Sequence, residues 1–312
     1  MKDVQAIKTL LSSPKNIVIT THANPDGDAL GSSLGLYLYL KKQGHQIDVI
    51  IVNKESTLPG ITKKIANADL IFCLDFSGLK RIKNLGPLVG ASAGKKILID
   101  HHLDPEDFAD YSLWDTKSSA TAELVFDLIE GLGGQKDIDA DIAECLYAGI
   151  MTDTGSFKHP STSAKTHRVV ASLMEAGANI NKVNRAIYDT NSLNRLRFIG
   201  YALMEKLVVL EKVKAAYFVI TAEEHERFHL KSGDTEGLVN YALSIKDIEM
   251  SAIIMEREDE IKLSFRSVGD RAVNTFASEH FDGGGHKNAA GGHSQDTLEN
   301  TVAKFRRLIE SQ

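Results

Sequence analysis

The chain has 312 residues and a formal net charge of −6, which is enough length for two domains of about 100–200 residues each. The acid excess excludes a protein that coats long nucleic acid, because such proteins carry a basic stripe to displace counterions, but it leaves room for a short fragment or nucleotide held by a few local cations. Cys73 and Cys145 lie far apart in apolar runs without a C-x-x-C spacing, so buried thiols in a reducing compartment are expected rather than a zinc ribbon or redox pair.

The N-terminal stretch has no long apolar core of the signal-peptide kind, and no run of about 18 apolar residues follows it. A cytoplasmic protein without a membrane anchor is therefore expected. Asn16–Thr21 is a β-branched run after Pro14 and reads as a strand. Ala29–Lys42 carries leucines at helical spacing and stops at Gly44. Gln46–Val52, Leu70–Leu74 and Lys96–Ile99 are further compact apolar runs. Short apolar runs separated by helical segments predict βα units around a buried parallel sheet. Helices are expected at Ala120–Leu132, Ala140–Ile150, Ala164–Ala176 and Ile180–Tyr188, with Gly177 as a cap. Asn191–Lys206 reads as a helix polar enough to link two domains. Beyond it, Leu207–Leu210 and Ala215–Ile220 read as strands, Thr235–Ala242 as a helix, and Glu249–Glu256 with Glu260–Phe265 as a hairpin. A helix at Ala272–His280, a Gly-rich turn entering a short helix, and a last helix at Thr297–Ile309 complete the chain. The expected layout is residues 1–190 as an α/β domain with a parallel sheet, 191–206 as a linking helix, and 207–312 as a smaller α/β domain.

Four short segments concentrate chemistry. Thr21-His22-Ala23-Asn24-Pro25-Asp26-Gly27-Asp28 places one imidazole and two carboxylates in a tight loop before a helix, where Asp28 by itself also suits an N-cap. Asp75 follows the run Leu70–Leu74, a place where a lone acid is often a turn residue. Asp100-His101-His102 follows Lys96–Ile99, and neutral imidazole is the commonest metal ligand. Asp153 follows Ala148–Ile150 among small hydroxyl residues. Three of the four come directly after predicted strands, where open α/β sheets hold their ligands. Together they supply an Asp/His donor set without thiolate, which favours Mn²⁺, with Mg²⁺, Co²⁺, Fe²⁺ or Zn²⁺ as alternatives. Two such ions would need a bridging carboxylate, and could clamp both oxygens of a phosphoryl displacement. No nucleophile elbow and no P-loop occur in the sequence. Nearer the C-terminus, Arg266 offers a planar fork for an anion, and Gly283-Gly284-Gly285-His286 offers backbone N–H groups and an imidazole.

These motifs resemble the DHH phosphoesterases that carry the DHH-associated C-terminal domain, and among them the bacterial nanoRNases that also dephosphorylate 3′-phosphoadenosine 5′-phosphate (pAp). The resemblance runs from His22 to Gly292. It rests on His22-x3-Asp26-x-Asp28, Asp75 in LDFSG, the triplet Asp100-His101-His102, Asp153 in TDTGSF, and GGGHKNAAG. Asp282 stands where the family's run of glycines usually begins. The resemblance implies that His22 and Asp26 hold one metal, Asp28, His101 and Asp153 the other, and that Asp75 bridges them. It implies that His102 contacts the scissile phosphate or orients water, supported by Asp100. It further implies that Arg266, Gly283, Gly284, Gly285 and His286 grip the nucleotide from across an interdomain cleft.

The implied activity is Mn-dependent hydrolysis of short oligoribonucleotides to nucleoside 5′-monophosphates, and of pAp to AMP. The implied partners are short single-stranded RNA or a nucleotide bisphosphate as substrate, without long duplex or membrane, and the chain is expected as a monomer or homodimer. Hydrolysis of linear or cyclic dinucleotide signals or of polyphosphate is the alternative within enzymes. A metal-loaded nucleotide-binding module without catalysis is the alternative outside them.

Overall fold

The computed structural model describes residues 3–51 and 59–311, and the chain divides into two compact units, Met1–Asp189 and Thr190–Gln312. The first unit runs α1 (Val4–Leu10), β1 (Asn16–Thr21), α2 (Gly27–Lys42), β2 (Gln46–Ile50), α3 (Pro59–Ala66) and β3 (Leu70–Leu74). It continues with α4 (Gly86–Ala91), β4 (Lys95–Asp100), β5 (Tyr111–Trp114), α5 (Thr121–Leu132), α6 (Ala140–Asp153), α7 (Ala164–Glu175) and α8 (Ile180–Tyr188). The strands form one parallel sheet in the order β2-β1-β3-β4-β5. Val52, the end of one expected apolar run, lies outside the described residues. The expected runs omit α1, α3, α4 and β5, elements of four to eight residues that are too short to show a period.

Strand alternation explains why the sheet is buried on both faces. Ile17, Ile19, Phe72, Leu74, Ile97 and Ile99 pack into one core, while Val18, Ile71, Cys73 and Leu98 pack into another. Successive side chains of a strand point to opposite faces, so a strand covered on both sides must be apolar throughout. On the first of these faces α2 and α6 approach at glycine distance. A Cβ on Gly31 would stand 2.4 Å from the Cys145 carbonyl oxygen, and one on Gly27 would stand 2.4 Å from Thr152 Oγ1. This contact brings the N-terminal end of α2 against the C-terminal end of α6.

The second unit runs α9 (Leu193–Tyr201), β6 (Leu207–Leu210), β7 (Ala215–Ile220), α10 (Ala222–Arg227), α11 (Leu238–Leu243), β8 (Met250–Glu256) and β9 (Ile261–Ser267). It ends with α12 (Val273–His280), β10 (Gly284–His286), β11 (Ala289–Ser294) and α13 (Leu298–Glu310). Its sheet order is β10-β11-β9-β8-β7-β6, with β7 and β8 parallel and the other pairs antiparallel. The segment 191–206 lies within this unit as α9 followed by one π turn, Ala202–Lys206, and it buries Phe198 and Ala202 beside Phe218 and Val239.

The Gly-rich run differs from its expected form. No helix follows it: β10 and β11 form a hairpin joined by Lys287 and Asn288. The strand wins because β9 offers a ladder to Ala289–Ser294 that a helix would leave unpaired. Gly285 has φ +145, and a Cβ on Gly283 would stand 2.1 Å from the Gly291 carbonyl oxygen. The glycines let this hairpin close.

Candidate metal centre

The site is built at the carboxyl ends of β1, β3 and β4, which are neighbours in the sheet. His22 follows β1, Asp75 follows β3, and Asp100 ends β4 just before His101 and His102. Asp153, expected just beyond a helix ending at Ile150, is instead the last residue of α6. The capping expectation for Asp28 is also corrected. Asp26 is the N-cap of α2, its Oδ1 accepting from the Asp28 and Ala29 amides. Asp28 is buried, and its Oδ2 accepts from Thr121 N at 2.6 Å while its Oδ1 accepts from Ala122 N at 2.9 Å. It therefore caps α5, more than 90 residues away, and takes the partial positive charge of that helix terminus.

Asp75 sits at φ +64, a conformation that costs a residue with a side chain about 1 kcal/mol or more. Its amide donates to the Ile99 carbonyl at 3.0 Å, and Oδ1 accepts from Thr121 Oγ1 at 2.9 Å. Its two oxygens face different imidazoles. Oδ2 lies 3.5 Å from His22 Nε2 and Oδ1 lies 3.6 Å from His101 Nε2. His22 Nε2 is also 3.7 Å from Asp26 Oδ2. His101 Nε2 is 3.9 Å from Asp28 Oδ2 and 3.4 Å from Asp153 Oδ2. The donors thus fall into two main groups, His22–Asp26–Asp75 and Asp28–His101–Asp153, with Asp75, His101 and His102 also within reach of one another.

These separations are longer than hydrogen bonds. Ligands at about 2.1 Å from one ion stand about 3.0–3.5 Å apart, so groups 3.4–3.9 Å apart need only a small inward movement to close on one. The ring orientations fit as well. His22 Nδ1 meets the Ala23 carbonyl at 3.0 Å and His101 Nδ1 meets the Ser118 carbonyl at 3.3 Å, which aims both Nε2 atoms at the carboxylates. A ligating histidine is ordinarily held in this way by its second nitrogen. Four carboxylates, from Asp26, Asp28, Asp75 and Asp153, would balance the charge of two divalent cations.

The protonation preferences point the same way. The Asp26 and Asp75 carboxylates raise His22 to about 10. Burial opposes ionisation of Asp26, but the His22 imidazole and the Ala29 amide outweigh it and hold the acid at about 2. Burial and the Asp75 and Asp153 charges push Asp28 well above its usual range. Asp153 is raised by burial and by Asp75 and Asp26, against the opposing pull of His101. Metal ligands must be deprotonated, so metal binding would displace protons from these groups.

Residues 16–150 match the DHH family, N-terminal domain, and residues 212–312 match the DHHA1 domain. A Thermus thermophilus protein named bifunctional oligoribonuclease and PAP phosphatase NrnA is 31% identical, over 88% of this chain and 83% of its own. The chain belongs to the DHH family. As a member it is a hydrolytic phosphoesterase with a metal-capable Asp/His cluster. The crystal structure of an exopolyphosphatase-related protein from Bacteroides fragilis matches it with a TM-score of 0.92 at 38% identity, covering 99% of this chain and 96% of that one. RecJ from Thermus thermophilus, solved with Mn²⁺, shares the fold alone, with a TM-score of 0.55 at 12% identity over 100% of this chain and 54% of its own. Among the described residues no helix is long and apolar enough to cross a membrane.

In this DHH protein the second residue of the triplet's histidine pair is held differently from the first. His102 Nδ1 meets Asp100 Oδ1 at 2.7 Å, and that contact raises the imidazole's pKa despite partial burial. Asp100 is fully buried, and its Oδ2 has no hydrogen-bond partner among the described residues. The sequence reading missed Thr121, which ties Asp75 to α5, and Glu123, which is buried and bonds Ser119, Thr166 and Lys165. The polar stretch Ser118–Glu123 at the start of a helix carries the signal for both.

In the DHHA1 unit, Arg266 lies half-buried on β9 and donates to the Phe265 carbonyl at 2.9 Å. It lines a cavity of about 400 Å³ with Arg257, Lys262 and Ser264. Burial lowers its pKa. Gly284, Gly285 and His286 form β10, next to the β11 strand that pairs with β9, and Gly283 immediately precedes it.

Proposed function

We propose that this DHH phosphoesterase uses two divalent ions, Mn²⁺ foremost, to hydrolyse short oligoribonucleotides to nucleoside 5′-monophosphates and pAp to AMP. The observation that carries the reading is Asp75, whose two carboxylate oxygens face separate donor groups. His22 and Asp26 would hold one ion, Asp28, His101 and Asp153 the other, and Asp75 both. Bound there, the ions supply an acidified water and neutralise charge on the phosphate. His102, its pKa raised by Asp100, would donate to a phosphate oxygen. Arg266 pairs with a substrate phosphate through its planar fork, and Gly283–Gly285 with His286 add backbone and imidazole donors. In this reading residues 1–190 carry catalysis and residues 207–312 bind substrate.

The name of the Thermus thermophilus relative supports these substrates, and RecJ with Mn²⁺ supports the metal. A second reading, polyphosphate hydrolysis, draws on the name of the Bacteroides fragilis structure. The test is release of mononucleotides from a labelled diribonucleotide with and without Mn²⁺, run beside pAp and polyphosphate. Metal-dependent cleavage of the dinucleotide and pAp is expected. Cleavage of polyphosphate alone would replace the first reading with the second.

A further inference from the structure

Trp114 is the chain's one tryptophan and ends β5, paired in register with Asp100 of β4. Large aromatic side chains usually bury most of their surface, yet this residue keeps 45% exposed. Its indole is nevertheless held in place, because Nε1 donates to the His102 carbonyl oxygen at 2.7 Å. His102 Nδ1 in turn lies 3.7 Å from Asp75 Oδ1. One residue therefore separates the indole from the donor cluster. Leu103, the next residue along, is 72% exposed.

The charges around Trp114 suit a flat, neutral group better than an anion. Ser112, Trp114, Asp115, Asp127 and Lys165 line a cavity of about 380 Å³, large enough for a nucleobase. Its lysine is already committed, with Nζ 2.5 Å from Asp127 Oδ2 and 3.1 Å from Glu123 Oε1. The remaining charge there is acidic and would repel a phosphate.

We infer that Trp114 is the platform on which a nucleobase of the substrate stacks while the adjoining phosphate reaches the metal centre. The inference rests on the oligonucleotide reading above and adds to it a residue that separates nucleotides from base-free phosphates such as polyphosphate. Stacking on an aromatic face is tolerant of sequence, since every base has a π face. Trp114 would thus select for the presence of a base and not for its identity.

A single tryptophan makes the test direct. The full chain is titrated with AMP, adenosine and ribose 5-phosphate at fixed Mg²⁺, with excitation on the red edge of the indole band where adenine does not absorb. AMP and adenosine are expected to quench the emission, and ribose 5-phosphate to leave it unchanged. Equal quenching by ribose 5-phosphate, or none by AMP at concentrations that inhibit dinucleotide hydrolysis, would overturn the inference. The second arm compares Trp114→Phe with Trp114→Leu. Both lose the bond to the His102 carbonyl, and only phenylalanine keeps a π face. KM for the dinucleotide is expected to be about tenfold higher in Trp114→Leu than in Trp114→Phe, and equal KM values would overturn the platform. Failure of the functional reading shows differently: the unaltered chain would then leave dinucleotides intact, whatever AMP does to its fluorescence.

Discussion

In the first unit, His22, Asp28, Asp75 and His101 are buried or nearly so, and each is oriented by bonds to backbone or to Thr121. In the second unit, Arg266 is half-buried, donates to its neighbour's carbonyl, and faces a cavity shared with two more cations. The first arrangement fixes its donors before any ligand arrives, which suits ions that demand defined geometry. The second leaves most of a guanidinium's donors to be met by an incoming anion. Damage to the first should remove chemistry, whereas damage to the second should weaken binding.

The sharpest way to break that contrast is Asp75→Ala. It removes the carboxylate whose two oxygens face His22 and His101, and turnover is expected to fall by about 10³ or more, since an ion's stabilisation of the transition state is worth several kcal/mol. Rates and bound metal should be measured on the same sample. Near-normal turnover at full metal content would remove Asp75 from the bridge. Next comes Thr121→Val, which keeps shape and deletes only the hydroxyl that donates to Asp75 Oδ1. Groups that orient a ligand typically contribute 10–100-fold in metal affinity or activity. A loss of about that size is expected, with recovery in Thr121→Ser; if valine and serine behave alike, the hydroxyl does not orient the carboxylate.

Arg266→Ala probes the other side of the comparison. KM for the dinucleotide is expected to rise about tenfold, the scale of one charge-assisted hydrogen bond. Metal affinity, followed by calorimetric titration with Mn²⁺, should not move. An unchanged KM would exclude the residue from substrate binding, and a loss of metal affinity would break the division between the two units.

Much of this layout is legible in the sequence, for identifiable reasons. The central strands are apolar on both faces, so Asn16–Thr21 and Leu70–Leu74 stand out as uninterrupted runs, and the acids and imidazoles directly after them are conspicuous. What stays hidden depends on residues far apart in the chain. Asp28 looks like a local cap because nothing nearby reveals that the amides it accepts from belong to α5. The approach of Asp153 depends on glycines at 27, 31 and 35, whose four-residue spacing lets α2 settle onto α6. A Cβ on Gly149 would stand 2.6 Å from Ala122 Cβ and 2.8 Å from Asp28 Oδ1. The C-terminal glycines mislead in the opposite direction, since a Gly run read locally is a turn and only its pairing with β11, itself laid on the β9 edge, makes it a strand.

The smallest effect concerns a charge in the second unit that has an ionic partner. Glu224 is buried on α10, where its Oε1 lies 2.5 Å from Lys206 Nζ and its Oε2 closes a capping box with the Thr221 amide. Burial raises its pKa, but Lys206, the Thr221 amide and the Tyr201 hydroxyl more than offset that, leaving it below the ordinary 4.5. A carboxyl whose folded pKa is depressed stabilises the fold above its unfolded pKa, and loses that contribution as pH falls through the folded value. Glu224→Gln keeps the shape and an acceptor while removing the charge. Urea unfolding of the two proteins should therefore differ by up to about 1 kcal/mol near neutral pH, and the gap should close as pH falls below the ordinary carboxyl range and through the depressed folded value. A gap that persists in acid would mean that the glutamate acts through packing and capping alone. The paired charge would then contribute no more to this unit's stability than an uncharged acceptor, and the distinction between a structural cation at Lys206 and a ligand-seeking one at Arg266 would rest on geometry alone.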